Sequence, residues 1–249
     1  MKILLPVALS LVLLAPAANA QFVVFEENVT GGTLDQMWTP GFFLTNNLEP
    51  VTLQPGDPGY PNPSGDNTVG ALTNLPPEQG GLGIAVTDAQ GFANYRWEGQ
   101  VWMGNGDTRR GLIVRAGTPA AGYTENYQFV IQPGLLTLTL RKLSGEGATT
   151  LAEWFTTDTQ SGFPAQNTWQ KMAIEAVGNT LRVFWNDEEL TSVPVEDGAL
   201  ATGAVGVYNF RFDLGGVTVL YDDLKLTSTG IVSNEDESFG RLKARFAPR

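Results

Sequence analysis

The sequence predicts an all-β protein of antiparallel strands, and three observations support this. Apolar and polar residues alternate along residues 169–177 and 180–185, with Gly178-Asn179 between them, which is typical of two half-buried strands joined by a tight turn. Another apolar run starts at Gly203, and the last one ends at Leu226. The 29 glycines and 15 prolines divide the chain into short apolar runs, which suits many strands connected by turns.

The N-terminus reads as an export signal. Residues 1–20 contain Lys2, an apolar run and small residues at 18–20, which predicts a secretory signal peptide cleaved before Gln21. The apolar run is short and is broken at Pro16, so the sequence predicts no transmembrane segment. We expect a secreted, periplasmic or cell-surface protein. The chain has no cysteine, which excludes disulfides and a lipid anchor at the cleavage site.

After cleavage we expect one domain at residues 21–227 and a C-terminal tail at 228–249. The tail places apolar residues among basic ones at spacings that allow a short amphipathic helix, but the sequence favours a frayed tail. Residues 54–77 are rich in Pro, Gly, Asp and Asn and predict a long surface loop, either functional or simply a connection. The net charge of -11 makes nucleic acid an unfavourable partner.

One strand in the first half of the chain mixes aromatic and polar residues on a single face. Along residues 95–103, alternation predicts Tyr95, Trp97, Val101 and Met103 on one face. The other face receives Arg96, Glu98, Gln100 and Trp102. Sugar rings stack their C–H faces on aromatic planes while their hydroxyl groups bond to planar polar side chains, so this mixture predicts a sugar-binding face. A loop covering Trp102 is the alternative.

Three further predicted strands contribute polar residues to the predicted sugar-binding face. Alternation places Arg115, Gln128 and Arg141 opposite the apolar positions of strands at 111–116, 126–132 and 135–142. If these strands are adjacent and antiparallel, the three side chains share one polar face with Trp102. The alternative is a solvated sheet face without a function.

The strand order carries a family resemblance. Trp169, the Gly178-Asn179 turn, TGAVGV at 202–207 and YDDL at 221–224 resemble the closing half of the concanavalin A-like lectin/glucanase superfamily, and GLIVRAG at 111–117 fits its middle. The chain is most similar to laminin-G-like bacterial carbohydrate-binding modules and to 3-keto-disaccharide hydrolase-like domains. The resemblance implies a two-sheet antiparallel jelly-roll sandwich that binds its ligand on a concave face or at the loop rim.

The resemblance also implies a structural calcium ion that ties the first strand to the last. Glu27 near the start and Asp222 near the end are the candidate ligands, with Glu26, Asn28 and Asp223 beside them. Adjacent acids on a regular strand point to opposite faces, so each acidic pair supplies at most one ligand unless the strand has a bulge. Solvated charges or turn hydrogen bonds account for these acids equally well.

The sequence argues against most enzymatic mechanisms. It contains neither histidine nor cysteine, and no strand carries alternately spaced carboxylates of the glycosidase kind. We therefore expect non-catalytic recognition of a polysaccharide or glycan. Two alternatives stay open: a structural or adhesive protein that binds a surface protein or itself, and a glycoside hydrolase-like enzyme.

Overall fold

A computed structural model describes residues 21–41, 46–75, 80–85, 93–104, 108–118, 123–145, 147–155, 157, 159, 167–212 and 216–229. Within these ranges the chain forms sixteen β-strands and two short 3-10 turns. The strands are β1 (Phe22–Glu27), β2 (Trp38–Pro40), β3 (Leu48–Thr52), β4 (Thr68–Asn74), β5 (Gly80–Ala85), β6 (Tyr95–Trp102), β7 (Thr108–Ala116), β8 (Asn126–Gln132), β9 (Thr137–Ser144), β10 (Gly147–Phe155), β11 (Trp169–Val177), β12 (Thr180–Trp185), β13 (Glu188–Glu189), β14 (Val195–Glu196), β15 (Ala204–Arg211) and β16 (Val217–Ser228).

The described strands form two antiparallel sheets. Sheet A has the order β13-β12-β11-β6-β16-β4-β3, with β1 beside β16 and β14 beside β12. Sheet B has the order β10-β9-β8-β7-β15-β5-β2. The two sheets bury their inner faces against each other, which confirms the predicted all-β class and two-sheet sandwich.

The core between the sheets explains why alternation predicted so many strands. Trp97, Trp185 and Tyr127 are fully buried there, and each such side chain contributes roughly 2–3 kcal/mol by leaving water. Polar atoms of the core bridge the sheets: the Trp97 indole N–H donates to the Gly206 carbonyl at 2.9 Å, and the Tyr221 hydroxyl donates to the Tyr208 carbonyl at 2.6 Å. These bonds satisfy buried polar groups and fix the two sheets to each other.

The hairpin β11–β12 follows the prediction closely. Met172 pairs with Trp185 and Val177 with Thr180, and Gly178 has φ 56 in the turn, a conformation that glycine adopts without steric cost. The predicted strands at 95–103, 111–116, 126–132 and 135–142 are also present, as β6, β7, β8 and β9.

The predicted loop at 54–77 is wrong over residues 68–74, which form β4. The strand lies between β3 and β16, and six of its seven residues are buried. A strand buried on both faces has no alternation of polar and apolar residues, so its period is invisible in the sequence. Gly70 accommodates the neighbouring strand, because an added Cβ would lie 2.9 Å from Leu48 Cδ1.

The predicted signal peptide at 1–20 lies outside the described residues, and so does most of the predicted tail at 228–249. Strand β16 ends at Ser228, so the first residue assigned to the tail belongs to sheet A. In the part of the chain that the structure describes, no helix has the length and apolar character needed to cross a membrane.

Candidate functional site

The outer face of sheet A, which points away from sheet B, carries the polar residues of β6. Tyr95, Trp97 and Val101 are in the core, so Glu98, Gln100 and the other alternate residues of the strand face outward. Predicted site residues Arg96, Glu98 and Trp102 therefore share one face, as alternation indicated. Beside them lies a depression of about 330 Å³, here called the polar pocket. It is lined by Glu26, Asn28, Glu98, Gly99, Gln100, Lys171, Asp223 and Lys225.

A bulge in β16 places two adjacent acids on this face. The register of β16 against β6 shifts between Asp222 and Lys225, and Asp223 has φ 50, in the left-handed region. Leu224 returns to the core opposite Gly99, where an added Cβ would lie 2.4 Å from Leu224 Cδ2. Because the bulge adds one residue to the strand, Asp222 and Asp223 both lie on the outer side.

Ion pairs occupy most charged groups of the polar pocket. Lys225 Nζ lies 3.0 Å from Glu26 Oε1, and Arg96 Nε lies 2.6 Å from Glu98 Oε2. Lys171 Nζ lies 2.8 Å from Asp187 Oδ1 and 3.8 Å from Glu98 Oε1. Paired charges at a half-exposed site contribute little to stability.

The carboxylate of Asp223 differs from its neighbours, since no described residue gives it a hydrogen bond or ion pair. Burial raises its pKa, the charges of Asp222, Asp66 and Glu26 raise it further, and Lys171 acts in the opposite direction. A half-buried, unpaired carboxyl group with a raised pKa is a frequent feature of binding and catalytic sites. Sequence reasoning treated Asp223 only as a calcium candidate, and it overlooked Lys171 and Lys225.

At the other end of the same face, the loop at residues 53–67 covers the aromatic residues. The rings of Trp102 and Trp169 lie 5.5 Å apart, and the Trp169 indole donates to the Gly59 carbonyl at 2.9 Å. Only 8% of Trp102 is exposed. The loop therefore covers Trp102, as the alternative interpretation of the sequence stated. The role of Trp102 in carbohydrate binding stays a prediction.

The prediction that Arg115 lies on one polar face with Trp102 is wrong. Trp102 belongs to β6 in sheet A and Arg115 to β7 in sheet B. The Arg115 backbone has φ 51 beside a register shift, and its guanidinium donates to the carbonyls of Leu200, Ala93 and Gly178 at 2.6–2.9 Å. Alternation alone assigned it to the outer face, and the bulge turned its side chain into this buried cluster of carbonyls.

Gln128 and Arg141 are direct cross-strand partners in sheet B, as the adjacency of their strands implied. Arg141 Nε donates to Gln128 Oε1 at 2.6 Å, and the guanidinium lies 5.0 Å from the ring centre of Tyr208. Both residues are buried, Gln128 completely and Arg141 to all but 6%. The structure thus brings these two together and separates them from the polar pocket, so their predicted part in carbohydrate binding stays a prediction.

The surroundings of Glu27 and Asp222 do not fit the predicted calcium ion. Both oxygens of Glu27 accept N–H bonds, from the backbone of Val29, Asp35 and Gln36 and from the Trp38 indole. Asp222 accepts bonds from the Asn62 amide, from Ser64 N and from Asp223 N. Calcium needs a cage of oxygens with free lone pairs, and no group of three or more acidic, His or Cys side chains among the described residues is arranged to hold a metal.

Comparisons with solved structures support the fold. Carbohydrate-binding module CBM66 from Bacillus subtilis matches with a TM-score of 0.55 and 12% identity, over 78% of this chain and 98% of that one. Cellulose-induced protein Cip1 matches with a TM-score of 0.54 and 11% identity, over 83% and 98%. At such identities the likeness concerns the fold alone, and it confirms the jelly-roll sandwich. A search among curated protein sequences finds no match.

A protein-family model supplies the relationship that the folds alone do not. The model described as a 3-keto-alpha-glucoside-1,2-lyase-like domain matches residues 55–227. This match spans well over half of the chain and includes β6, β11 and β16, which line the polar pocket. It confirms the resemblance to the 3-keto-disaccharide hydrolase-like branch of the superfamily. The chain belongs to the family of 3-keto-alpha-glucoside-1,2-lyase-like domains.

Proposed function

We propose that the protein binds carbohydrate in the polar pocket on the outer face of sheet A. One observation carries the proposal: two lysines, three carboxylates and two amides surround a single open depression of about 330 Å³. Sugar hydroxyl groups both donate and accept hydrogen bonds, so they need charged and amide partners of both kinds within a small space. A solved structure with a similar fold is a carbohydrate-binding module, which supports this assignment.

The test is retention of the protein on a glycan array and on insoluble polysaccharides. Gln100→Ala and Asp223→Ala should each weaken binding at least about tenfold, because each removes hydrogen bonds to a polar ligand. Glu153→Gln serves as the matched control, since Glu153 is exposed on β10 in sheet B. Binding that survives both pocket substitutions would contradict the proposed site. Retention on no glycan, together with self-association at low salt, would favour the structural or adhesive alternative.

A second candidate function is lyase chemistry in the same pocket, and the unpaired carboxylate of Asp223 favours it. In a 1,2-elimination from a 3-keto-glucoside, a base removes the C2 proton, which the adjacent ketone makes acidic. The electron pair forms the C1=C2 bond, the C1–O bond breaks, and the leaving oxygen takes a proton from water. Asp223 is suited to accept the C2 proton, and Lys171 or Lys225 to stabilise charge on the ketone oxygen.

Incubation with a 3-keto-glucoside separates this candidate from simple binding. The product is a conjugated enone, so its ultraviolet absorbance reports turnover directly. Asp223→Asn should abolish turnover and leave ligand binding within a few-fold, since the amide keeps the shape of the carboxyl group. Tight binding without any enone would support non-catalytic recognition.

We also propose export of the chain. The protein recovered from the culture medium or the periplasm should begin at Gln21 when its N-terminus is sequenced. A product that retains residues 1–20 would contradict cleavage at this position.

A further inference from the structure

The indole N–H of Trp102 is buried and has no hydrogen-bond partner among the described residues. Two other indoles of sheet A are satisfied: Trp97 donates to Gly206 O, and Trp169 donates to Gly59 O. The Trp185 indole also lacks a partner in the described part of the chain, but it lies in the core between the sheets. An unsatisfied buried donor is uncommon in a folded protein and needs an explanation.

Trp102 borders a second depression on the outer face of sheet A, here called the Trp102 cleft. Its volume is about 460 Å³. The cleft is lined by Val51, Leu53, Asp57, Pro58, Trp102, Gly104, Asn167, Thr218 and Leu220. The described residues that line it are all different from those of the polar pocket, and they are mainly apolar.

The polar groups of the cleft are largely engaged within the protein. Asp57 Oδ2 accepts a bond from Gln54 N at 2.7 Å, and the Thr218 hydroxyl is 2.8 Å from that of Thr73. A sugar ring would bury several hydroxyl groups here with few partners, which is unfavourable. A mainly apolar ligand that accepts one hydrogen bond matches the lining better.

Gly104 lines the Trp102 cleft directly beside the indole N–H of Trp102. A Cβ added at Gly104 would lie 3.1 Å from Trp102 Nε1 and 3.2 Å from Cδ1. A larger side chain at this position would therefore press against the indole at the wall of the cleft.

From the cleft and its unpartnered donor, we propose a second binding site for an aromatic ring that carries a hydrogen-bond-accepting oxygen. The ring contacts the indole of Trp102 and the side chains of Leu53 and Leu220, and the oxygen accepts from Trp102 Nε1. The volume falls in the range of small-molecule sites. An aryl glycoside has both chemistries, a sugar for the polar pocket and an aromatic aglycone for this cleft. Only this last step rests on the proposed carbohydrate function.

The test uses 4-fluorophenol and 4-fluorotoluene, two probes of similar shape that differ in the accepting oxygen. Fluorine NMR titration with the full chain should give saturable binding of 4-fluorophenol, about 2- to 10-fold tighter than 4-fluorotoluene, as one neutral hydrogen bond allows. Trp102→Phe keeps the aromatic ring and removes the N–H, so it should abolish the preference between the probes. Gly104→Val should weaken both probes by filling the cleft.

The two variants act by different means, so a folding failure of one leaves the other informative. Circular dichroism identifies the folded variants, and Phe184→Leu, on the same sheet face outside the cleft, is the matched control. Three outcomes would overturn the proposal: no saturable binding of either probe, a preference that persists in folded Trp102→Phe, or affinities unchanged in folded Gly104→Val. Because neither probe contains a sugar, these outcomes are independent of whether the polar pocket binds carbohydrate.

Discussion

Substitution of Arg115 distinguishes a structural side chain from a ligand-binding one. The Arg115 guanidinium is fully buried and donates to Leu200 O at 2.8 Å, Ala93 O at 2.9 Å and Gly178 O at 2.6 Å. These carbonyls belong to segments that precede β6, follow β11 and precede β15. One side chain of sheet B therefore holds three connections at one end of the sandwich.

Arg115→Met keeps most of the aliphatic volume and removes all three bonds. Each hydrogen bond from a charged group contributes about 1.5–3 kcal/mol. The Arg115 Nε has no partner within the described ranges, and the uncharged methionine avoids the cost of burying a charge, so the net loss is smaller than the sum of the three bonds. We therefore expect a net loss of roughly 3–5 kcal/mol in the free energy of unfolding, which for a chain of this size lowers Tm by about 10 °C.

Urea unfolding, monitored by tryptophan fluorescence, measures this loss of stability. A glycan-binding assay on the folded fraction of the variant tests whether Arg115 binds a ligand. A loss below about 1 kcal/mol would refute the structural reasoning. If a tightly bound glycan is found and the stable fraction of Arg115→Met no longer binds it, Arg115 acts in recognition, as alternation in the sequence first indicated.

Three further predictions follow from the same contacts. Asp223→Asn should stabilise the protein at pH 7 but not at pH 3. Burial and nearby acids raise the pKa of Asp223 in the folded state above the unfolded value of 3.8, so the folded protein loses stability as the pH rises above that value and the group ionises. Unfolding free energies of the variant and the wild type, measured at both pH values, test this. Glu27→Gln should lower the free energy of unfolding in urea by about 2–4 kcal/mol, because the carboxylate accepts four N–H bonds. The control Glu26→Gln removes only an exposed ion pair with Lys225 and should lower it by less than about 1 kcal/mol. Gly111→Ala should cost about 3 kcal/mol or more and reduce the soluble yield, since the added Cβ would lie 2.1 Å from the Phe129 carbonyl oxygen; wild-type stability of this variant would contradict the close strand approach.

Strands with one buried face could be predicted because their pattern repeats within a few residues. The β11–β12 hairpin and the outward position of Glu98 and Trp102 required only alternation and a turn signal. Strand β4 could not be found in this way, because both of its faces are buried and residues 69–72 at its centre show no alternation of polar and apolar residues. The loop at 53–67 was recognised from its composition, but nothing in the sequence indicated that it covers Trp102.

Only some residues of the polar pocket could be predicted from the sequence. Glu98 was predicted from its strand face, and Asp223 was noted for its acidic neighbour Asp222. Their meeting depends on the bulge in β16, which moves Asp223 to the face of Glu98. Lys171 joins them because β11 pairs with β6, bringing Lys171 opposite Gln100. Both events depend on contacts between residues at least about seventy positions apart in the chain, which no local pattern specifies.

The sequence by itself determined the all-β class, the main strands and the family of this protein, since alternation, turn residues and motif order are local properties of the chain. The tertiary structure decided which strands are neighbours and where bulges interrupt them. Those two features decide where a polar side chain lies: the Arg115 side chain is buried among carbonyls, and the Asp223 side chain lines the polar pocket. The physical reason is that a bulge or a change of strand neighbour moves a side chain to another environment without changing the residues on either side of it.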